Sequence, residues 1–173
     1  MIGKETAVEK VLVTGGNGFI AGYLIEELLA SGYKVKSIDN YSKYGKVTKS
    51  YDRHKNFEEI EADVKDTENL IDNLKDCDHL VAGAAMIGGI SYFHEFAYDL
   101  IAENERIIAS TFDAAIKAHQ KHKLKKITVL SSSMVYESCD TYPTSEGMQL
   151  SSPPPLSTYG FQKLAVEYFA KGA

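Results

Sequence analysis

An α/β fold on a doubly wound parallel sheet is what this chain predicts, and three observations carry that reading. Short apolar runs rich in β-branched residues alternate with helix-length amphipathic segments. A glycine-rich turn joins the first such run directly to the first helical segment. The composition, 173 residues with 44% hydrophobic and 25% charged, is that of one ordinary globular domain.

The elements follow in order. Strands are expected at Lys10–Thr14, Lys34–Asp39, 56–62, His79–Ala82 and 126–131. Residues 19–31 carry Leu24, Leu28 and Leu29 at helical spacing, with Gly32 as a natural stop, so a right-handed crossover joins the first two strands. A longer helix is expected over 96–119, with Leu100, Ile107, Ile108, Phe112 and Ala115 inward. Its basic end, from Lys117 onward, suits a helix C-terminus. Residues 132–156, with Pro143 and the run Pro153, Pro154 and Pro155, read as one long loop. Loops of that length in compact domains usually serve function, so a closing lid or substrate-positioning wall is expected there. There is no internal repeat.

A net charge of −5 argues against nucleic-acid partners and anionic membrane surfaces. No apolar stretch is long enough to span a bilayer, and the first six residues lack the apolar core of a signal peptide, so a cytoplasmic location is expected. Cys77 and Cys139 lack metal-ligand spacing and read as reduced thiols. His119 and His122 sit in a basic run without a third ligand. They read as a solvated helix end, and no metal is expected.

The glycine-rich turn runs V-L-V-T-G-G-N-G-F-I-A from Val11 to Ala21. Its context, strand before and helix after, is the one a dinucleotide loop needs, and it makes the predicted sheet Rossmann-type. Gly15 permits the tight turn, Gly18 lets backbone approach a pyrophosphate, and the pyrophosphate would rest on the helix N-terminus beside Asn17, Phe19 and Ile20. Asp39 closes the second strand at about the ~20-residue offset where a carboxylate accepts the adenosine ribose hydroxyls. It would repel a 2′-phosphate, which favours NAD over NADP, although Lys43 or Lys46 nearby could soften that choice. The alternative for Asp39 is a simple turn residue before Asn40.

Further on, Tyr159 and Lys163 stand at i and i+4, so on a helix they share a face. A free tyrosine titrates near pH ~10, and lowering it to about 7 takes roughly 4 kcal/mol of differential stabilisation of the phenolate. A neighbouring ammonium is the obvious source.

With these residues in view, the chain resembles the extended short-chain dehydrogenase/reductase family, and within it the NAD-dependent nucleotide-sugar epimerase/dehydratase group. Thr14 to Ile20 looks like the family's TGGxGFIG loop, Asp63 and Val64 like its adenine-contacting pair, and Ala84 and Ala85 like its small residues at the end of the fourth strand. Asn104 falls where the family has a structural asparagine. The stretch from Ser131 to Tyr136 looks like SSxxVYG, and Tyr159 to Lys163 like YxxxK. The resemblance implies that NAD is held by Gly15, Asn17, Gly18, Phe19, Ile20, Asp39, Asn40, Asp63, Val64, Ala84, Ala85, Asn104, Ser131, Tyr159 and Lys163. It also implies that Ser132, Tyr159 and Lys163 are the catalytic trio, with Ser132 donating to the substrate oxygen.

Relatives that eliminate water carry an acidic pair after the catalytic serine or threonine; decarboxylating ones keep a glutamate two positions on, and 3,5-epimerising ones a cysteine there. Here those positions hold Ser133 and Met134, and Cys139 lies too far along to substitute. What remains is 4-epimerisation of a nucleotide-sugar through a 4-keto intermediate, or a simple keto/hydroxyl redox step; a non-catalytic NAD-binding module is the third reading. Gly88 and Gly89 could admit backbone or substrate near the nicotinamide or form a plain surface loop, and Tyr92 and His94 could line the cleft or merely pack. The family continues well past YxxxK. The resemblance therefore implies that residues 1–173 are an NAD-binding domain, that the substrate domain lies largely outside this chain, and that the full-length form is a homodimer.

Overall fold

The computed structural model describes residues 7–89 and 95–173. Gly88 and Gly89 fall among the described residues, whereas Tyr92 and His94 lie outside them. Five strands form one sheet: β1 (Lys10–Thr14), β2 (Lys34–Asp39), β3 (Phe57–Glu61), β4 (His79–Ala82) and β5 (Lys126–Val129), in the order β3-β2-β1-β4-β5. Every pairing is parallel. Among the described residues four helices accompany them: α1 (Phe19–Ala30), α2 (Thr67–Leu74), α3 (Ala97–Lys121) and α4 (Thr158–Gly172). The winding reverses at β1, so β1 and β4 part their connections at their carboxyl ends and leave a crevice there.

Period-two alternation distributes the core. Leu12, Ile38 and Leu80 face α2 and α3, packing with Leu70, Leu74, Ala114 and Ala118. Val11, Val13 and Val35 face the other way, onto Ile25 and Leu29 of α1. The buried stripe of α1 is Ala21, Ile25 and Leu29; Leu24 and Leu28 are only half-buried, so the inward face is rotated from the leucine-based expectation. α1 ends as expected: Gly32, at φ +89°, donates to the Leu29 carbonyl, and Tyr33 donates to that of Leu28.

Other boundaries differ from expectation. β5 stops at Val129, opposite Ala82 where its partner β4 also ends, and the next carbonyl, Leu130, accepts the Lys163 ammonium at 2.9 Å. Residues 40–56 cover the α1 face of the sheet without a helix, using buried Tyr51 packed edge-to-face on Phe57 at 4.9 Å. Residues 132–156 hold two 3-10 turns, Ser133–Tyr136 and Met148–Leu150. That stretch is stitched down: Ser138 Oγ donates to the Pro154 carbonyl at 2.9 Å, and Gln149 Nε2 donates to Glu167 of α4 at 2.9 Å.

Charges gather at the opposite, amino-terminal edge of the sheet. Burial pushes the Asp78 carboxyl up, but Lys123 at 2.8 Å, the Lys10 amide and Lys125 outweigh it and hold its pKa at about 2. His119 Nδ1 pairs with the Leu124 carbonyl at 2.8 Å, tying the end of α3 to the turn before β5. Among the described residues, no helix is long and apolar enough to cross a membrane.

Candidate active site

The crevice at the carboxyl end of the sheet begins with the glycine loop. Gly15 has φ +70°, and a Cβ there would lie 2.8 Å from Ala84 Cα and 2.9 Å from Ala84 N. The turn therefore needs glycine twice over, for its backbone angle and for the main chain just after β4 that lies against it. Thr14, buried beside it, accepts through Oγ1 from the amides of Gly83 at 3.1 Å and Ala84 at 3.2 Å. These bonds lock the ends of β1 and β4 together. Gly18 caps α1 without a side-chain hydrogen bond, and first-turn amides of a helix have no intrahelical acceptor, so α1 directs its positive end into the crevice.

Three adjoining cavities line this edge. The first, about 220 Å³, is bounded by Gly15, Gly18, Phe19, Ile20, Lys43, Tyr44, Ile87 and Leu130 among others. A second, about 70 Å³, is walled by Asp39, Asn40, Asp63, Val64, Ala84 and Ala85, and shares Gly15 with the first. The third, about 20 Å³, shares Ala84 and Ala85 with the second and Leu130 with the first, and adds Asn104, Gln162 and Lys163. Shared walls make one continuous trough, from Asp39 through the glycine loop to Lys163.

Asp39 shapes its end of the trough. One carboxylate oxygen accepts from the Asn17 amide at 2.9 Å and the other from the Tyr41 amide at 2.8 Å, so the acid braces the glycine loop. Each oxygen keeps further lone-pair capacity toward the cavity it lines. Asn40 Nδ2 donates to Asp63 at 3.2 Å, joining the ends of β2 and β3.

At the other end, α4 presents the Tyr159 and Lys163 pair. Ser157 is its N-cap, accepting from the Gly160 amide at 3.0 Å, while Glu137 accepts from both the Ser157 amide at 2.9 Å and its hydroxyl at 2.8 Å. A Cβ on Gly160 would lie 2.7 Å from the Met134 carbonyl oxygen, so that glycine lets the helix seat directly on the turn carrying Ser132. Lys163 is buried, its Nζ is 6.0 Å from the Tyr159 ring centroid, and desolvation pushes its pKa below the ordinary lysine value. Ser132 Oγ accepts from the Met134 amide at 3.2 Å, which leaves its hydroxyl hydrogen to donate elsewhere.

The structure thus brings Gly15, Gly18, Phe19, Ile20, Asp39, Asn40, Asp63, Val64, Ala84, Ala85, Asn104 and Lys163 onto one trough. Of the other residues read as cofactor ligands, Tyr159 lines none of the three cavities, and Asn17 and Ser131 spend their side chains elsewhere. Asn17 braces the segment after β2, accepting from the Val47 amide at 3.3 Å and donating to the Gly45 carbonyl. Ser131 donates to Glu167 at 2.5 Å and lines none of the three cavities. Asn104 grips the stretch after β4 from both sides, accepting from the Met86 amide at 2.7 Å and donating to the Met86 carbonyl at 2.8 Å. The clamp of Thr14 on the Gly83 and Ala84 amides and the role of Glu137 escaped the sequence reading; only the N-cap pattern at Ser157 hints at the latter.

The model of the NAD dependent epimerase/dehydratase family matches residues 11–173. A UDP-glucose 4-epimerase of Dictyostelium discoideum is 29% identical over 173 residues, covering 94% of this chain and 46% of that protein. Among solved structures, the UDP-N-acetylglucosamine 4-epimerase of Methanobrevibacter ruminantium M1, in complex with UDP-N-acetylmuramic acid, is 30% identical with a TM-score of 0.72. That match covers 96% of this chain and 51% of that one. The UDP-glucose 4-epimerase of Bifidobacterium longum, in complex with NAD+ and UDP, is 26% identical with a TM-score of 0.74, covering 94% and 48%. The chain spans about half the length of the curated relatives it matches.

Proposed function

The chain belongs to the NAD-dependent epimerase/dehydratase family, and from that premise we propose that it forms the cofactor-binding and catalytic part of a nucleotide-sugar 4-epimerase. One observation favours epimerisation over elimination: the turn after Ser132 offers no carboxylate for a second proton transfer. Ser133 and Met134 carry none, and the next acid along, Glu137, is engaged with the Ser157 amide and hydroxyl. Removing water from a sugar needs such a group; oxidising and re-reducing one carbon needs only one proton site.

The trough fits NAD. Asp39, Asp63 and Val64 would hold the adenosine end, Gly15, Gly18 and the start of α1 the pyrophosphate, and the cavity beside Lys163 opens toward the nicotinamide end. When bound, NAD supplies the hydride acceptor and donor. Tyr159 takes the proton of the sugar's C4 hydroxyl and returns it to the same oxygen after the ring has presented its other face. Ser132 donates a hydrogen bond to that oxygen, and the Lys163 ammonium, anchored on Leu130, stabilises the phenolate. The complete protein, supplied with uridine and thymidine diphosphate sugars, should interconvert C4 epimers by NMR while retaining its NAD and consuming no net NADH. Stoichiometric NADH consumption would instead identify a reductase.

Cofactor choice gives a second test. A carboxylate and a phosphate a few ångströms apart repel by about 4 kcal/mol at a surface-like dielectric, so Asp39→Ala should shift the NAD/NADP affinity ratio toward NADP by roughly tenfold or more. Both affinities should also fall, because the Asn17 and Tyr41 amides lose their acceptor. An unchanged ratio in titration calorimetry removes Asp39 from the discrimination.

A further inference from the structure

β1 lies between β2 and β4, so a contact from the segment after β2 to the stretch after β4 must pass over the glycine loop. Lys43 makes that contact: its Nζ donates to the Ile87 carbonyl at 2.6 Å. Both residues wall the same 220 Å³ cavity as Gly15, Gly18, Phe19 and Ile20. Anything resting on the glycine loop lies under this bridge.

The neighbouring cations are placed differently. Lys46 is paired with Glu59 at 2.7 Å. Lys49 stands against Gly22 on the flank of α1, its Nζ 3.5 Å from where a Cβ on that glycine would sit. Lys43 meets a neutral carbonyl and the face of Tyr44, its Nζ 5.0 Å from the ring centroid, and among the described residues no carboxylate lies within ion-pair distance of it. Nor does it line the cavity of Asp39 and Asn40, where a 2′-phosphate would have to sit. Its charge is therefore directed at the middle of the trough and not at the ribose.

We infer that Lys43 is the cation that closes over the cofactor's diphosphate, exchanging the Ile87 carbonyl for a phosphate oxygen when NAD binds. This rests on reading the trough as the NAD site. A carbonyl dipole holds the ammonium in place but does not neutralise it, so the exchange trades a dipolar partner for an anionic one. The first turn of α1 supplies amides from below and Lys43 supplies charge from above. A sugar nucleotide also carries a diphosphate; the shared wall with the adenosine cavity, through Gly15, assigns Lys43 to the cofactor's.

The experiment is titration calorimetry of the complete protein and its Lys43→Gln variant with NAD+, ADP-ribose, adenosine and UDP. Lys43→Gln should weaken NAD+ and ADP-ribose alike, by roughly five- to twentyfold for one partly exposed charge-assisted bond. It should leave adenosine and UDP within about twofold, and flatten the salt dependence of NAD+ binding. Unchanged NAD+ affinity overturns the proposal while leaving the NAD site intact. Equal loss for adenosine would show a merely displaced loop, loss for NAD+ without ADP-ribose a nicotinamide contact, and loss confined to UDP a sugar-nucleotide contact; each rejects the assignment. A parent protein that does not bind NAD+ overturns both this and the reading beneath it.

Discussion

Tyr159→Phe should lower turnover of the complete protein by about a thousandfold, the middle of the range for a positioned general acid or base, while NAD affinity stays within about twofold. The substitution removes one oxygen and keeps the ring. Everything shown to seat α4 survives it: the Ser157 cap held by Glu137, the close approach of Gly160 to Met134, and the Lys163 bond to Leu130. Loss of turnover with retained affinity then isolates the phenol, since binding without proton transfer is what remains. Lys163→Met is the blunter variant, because it strips the Leu130 carbonyl of its partner as well as the phenolate of its cation. Turnover unchanged in Tyr159→Phe, followed by NMR of the sugar nucleotide, would remove the tyrosine from the mechanism.

How legible all this is in the sequence depends on how local each signal is. The glycine turn, Asp39 at the end of β2, and Tyr159 with Lys163 are local patterns whose geometry follows from strand and helix periods. Gly15, Gly18, Asp39 and Lys163 stand on the trough's walls, and the Tyr159 ring centroid lies 6.0 Å from Lys163 Nζ. α2 was missed because eight residues fall below the window in which helical periodicity shows, although Asp66 caps it by accepting from the Asn69 amide at 3.1 Å. The pairs that hold the site together join distant positions: Thr14 with Gly83 and Ala84, Asn104 with Met86, Glu137 with Ser157. A hydroxyl, an amide or a carboxylate advertises that it will bond, not to what. Asn17 and Ser131 carry the same ambiguity: their chemistry suits a cofactor, and here their side chains bond neighbouring protein groups.

Gly15 combines a local signal with a non-local one, and its substitution separates them. Gly15→Ala should destabilise the fold by about 3 kcal/mol or more, from roughly 1–2 kcal/mol for a left-handed alanine and a further 1–3 kcal/mol for overpacking. The overpacking cannot relax by rotating a side chain, because the atoms met are Ala84 Cα and N and, at 3.0 Å, Gly83 C. No exchange at position 84 relieves it. Thr14, which clamps the Gly83 and Ala84 amides to the end of β1, resists the separation that an added methyl demands. Gly32 supplies the control: its φ is +89°, and a Cβ there meets nothing within 4 Å, so Gly32→Ala should cost only about 1 kcal/mol. Because Gly15 walls both the first and second cavities, the folded fraction of Gly15→Ala should also bind NAD at least tenfold more weakly, whereas Gly32→Ala should bind it as the parent does. Urea unfolding with NAD titration measures both. Equal destabilisation by the two substitutions would mean that the backbone angle alone demands glycine at 15 and that the main chain at Gly83 and Ala84 has room to yield.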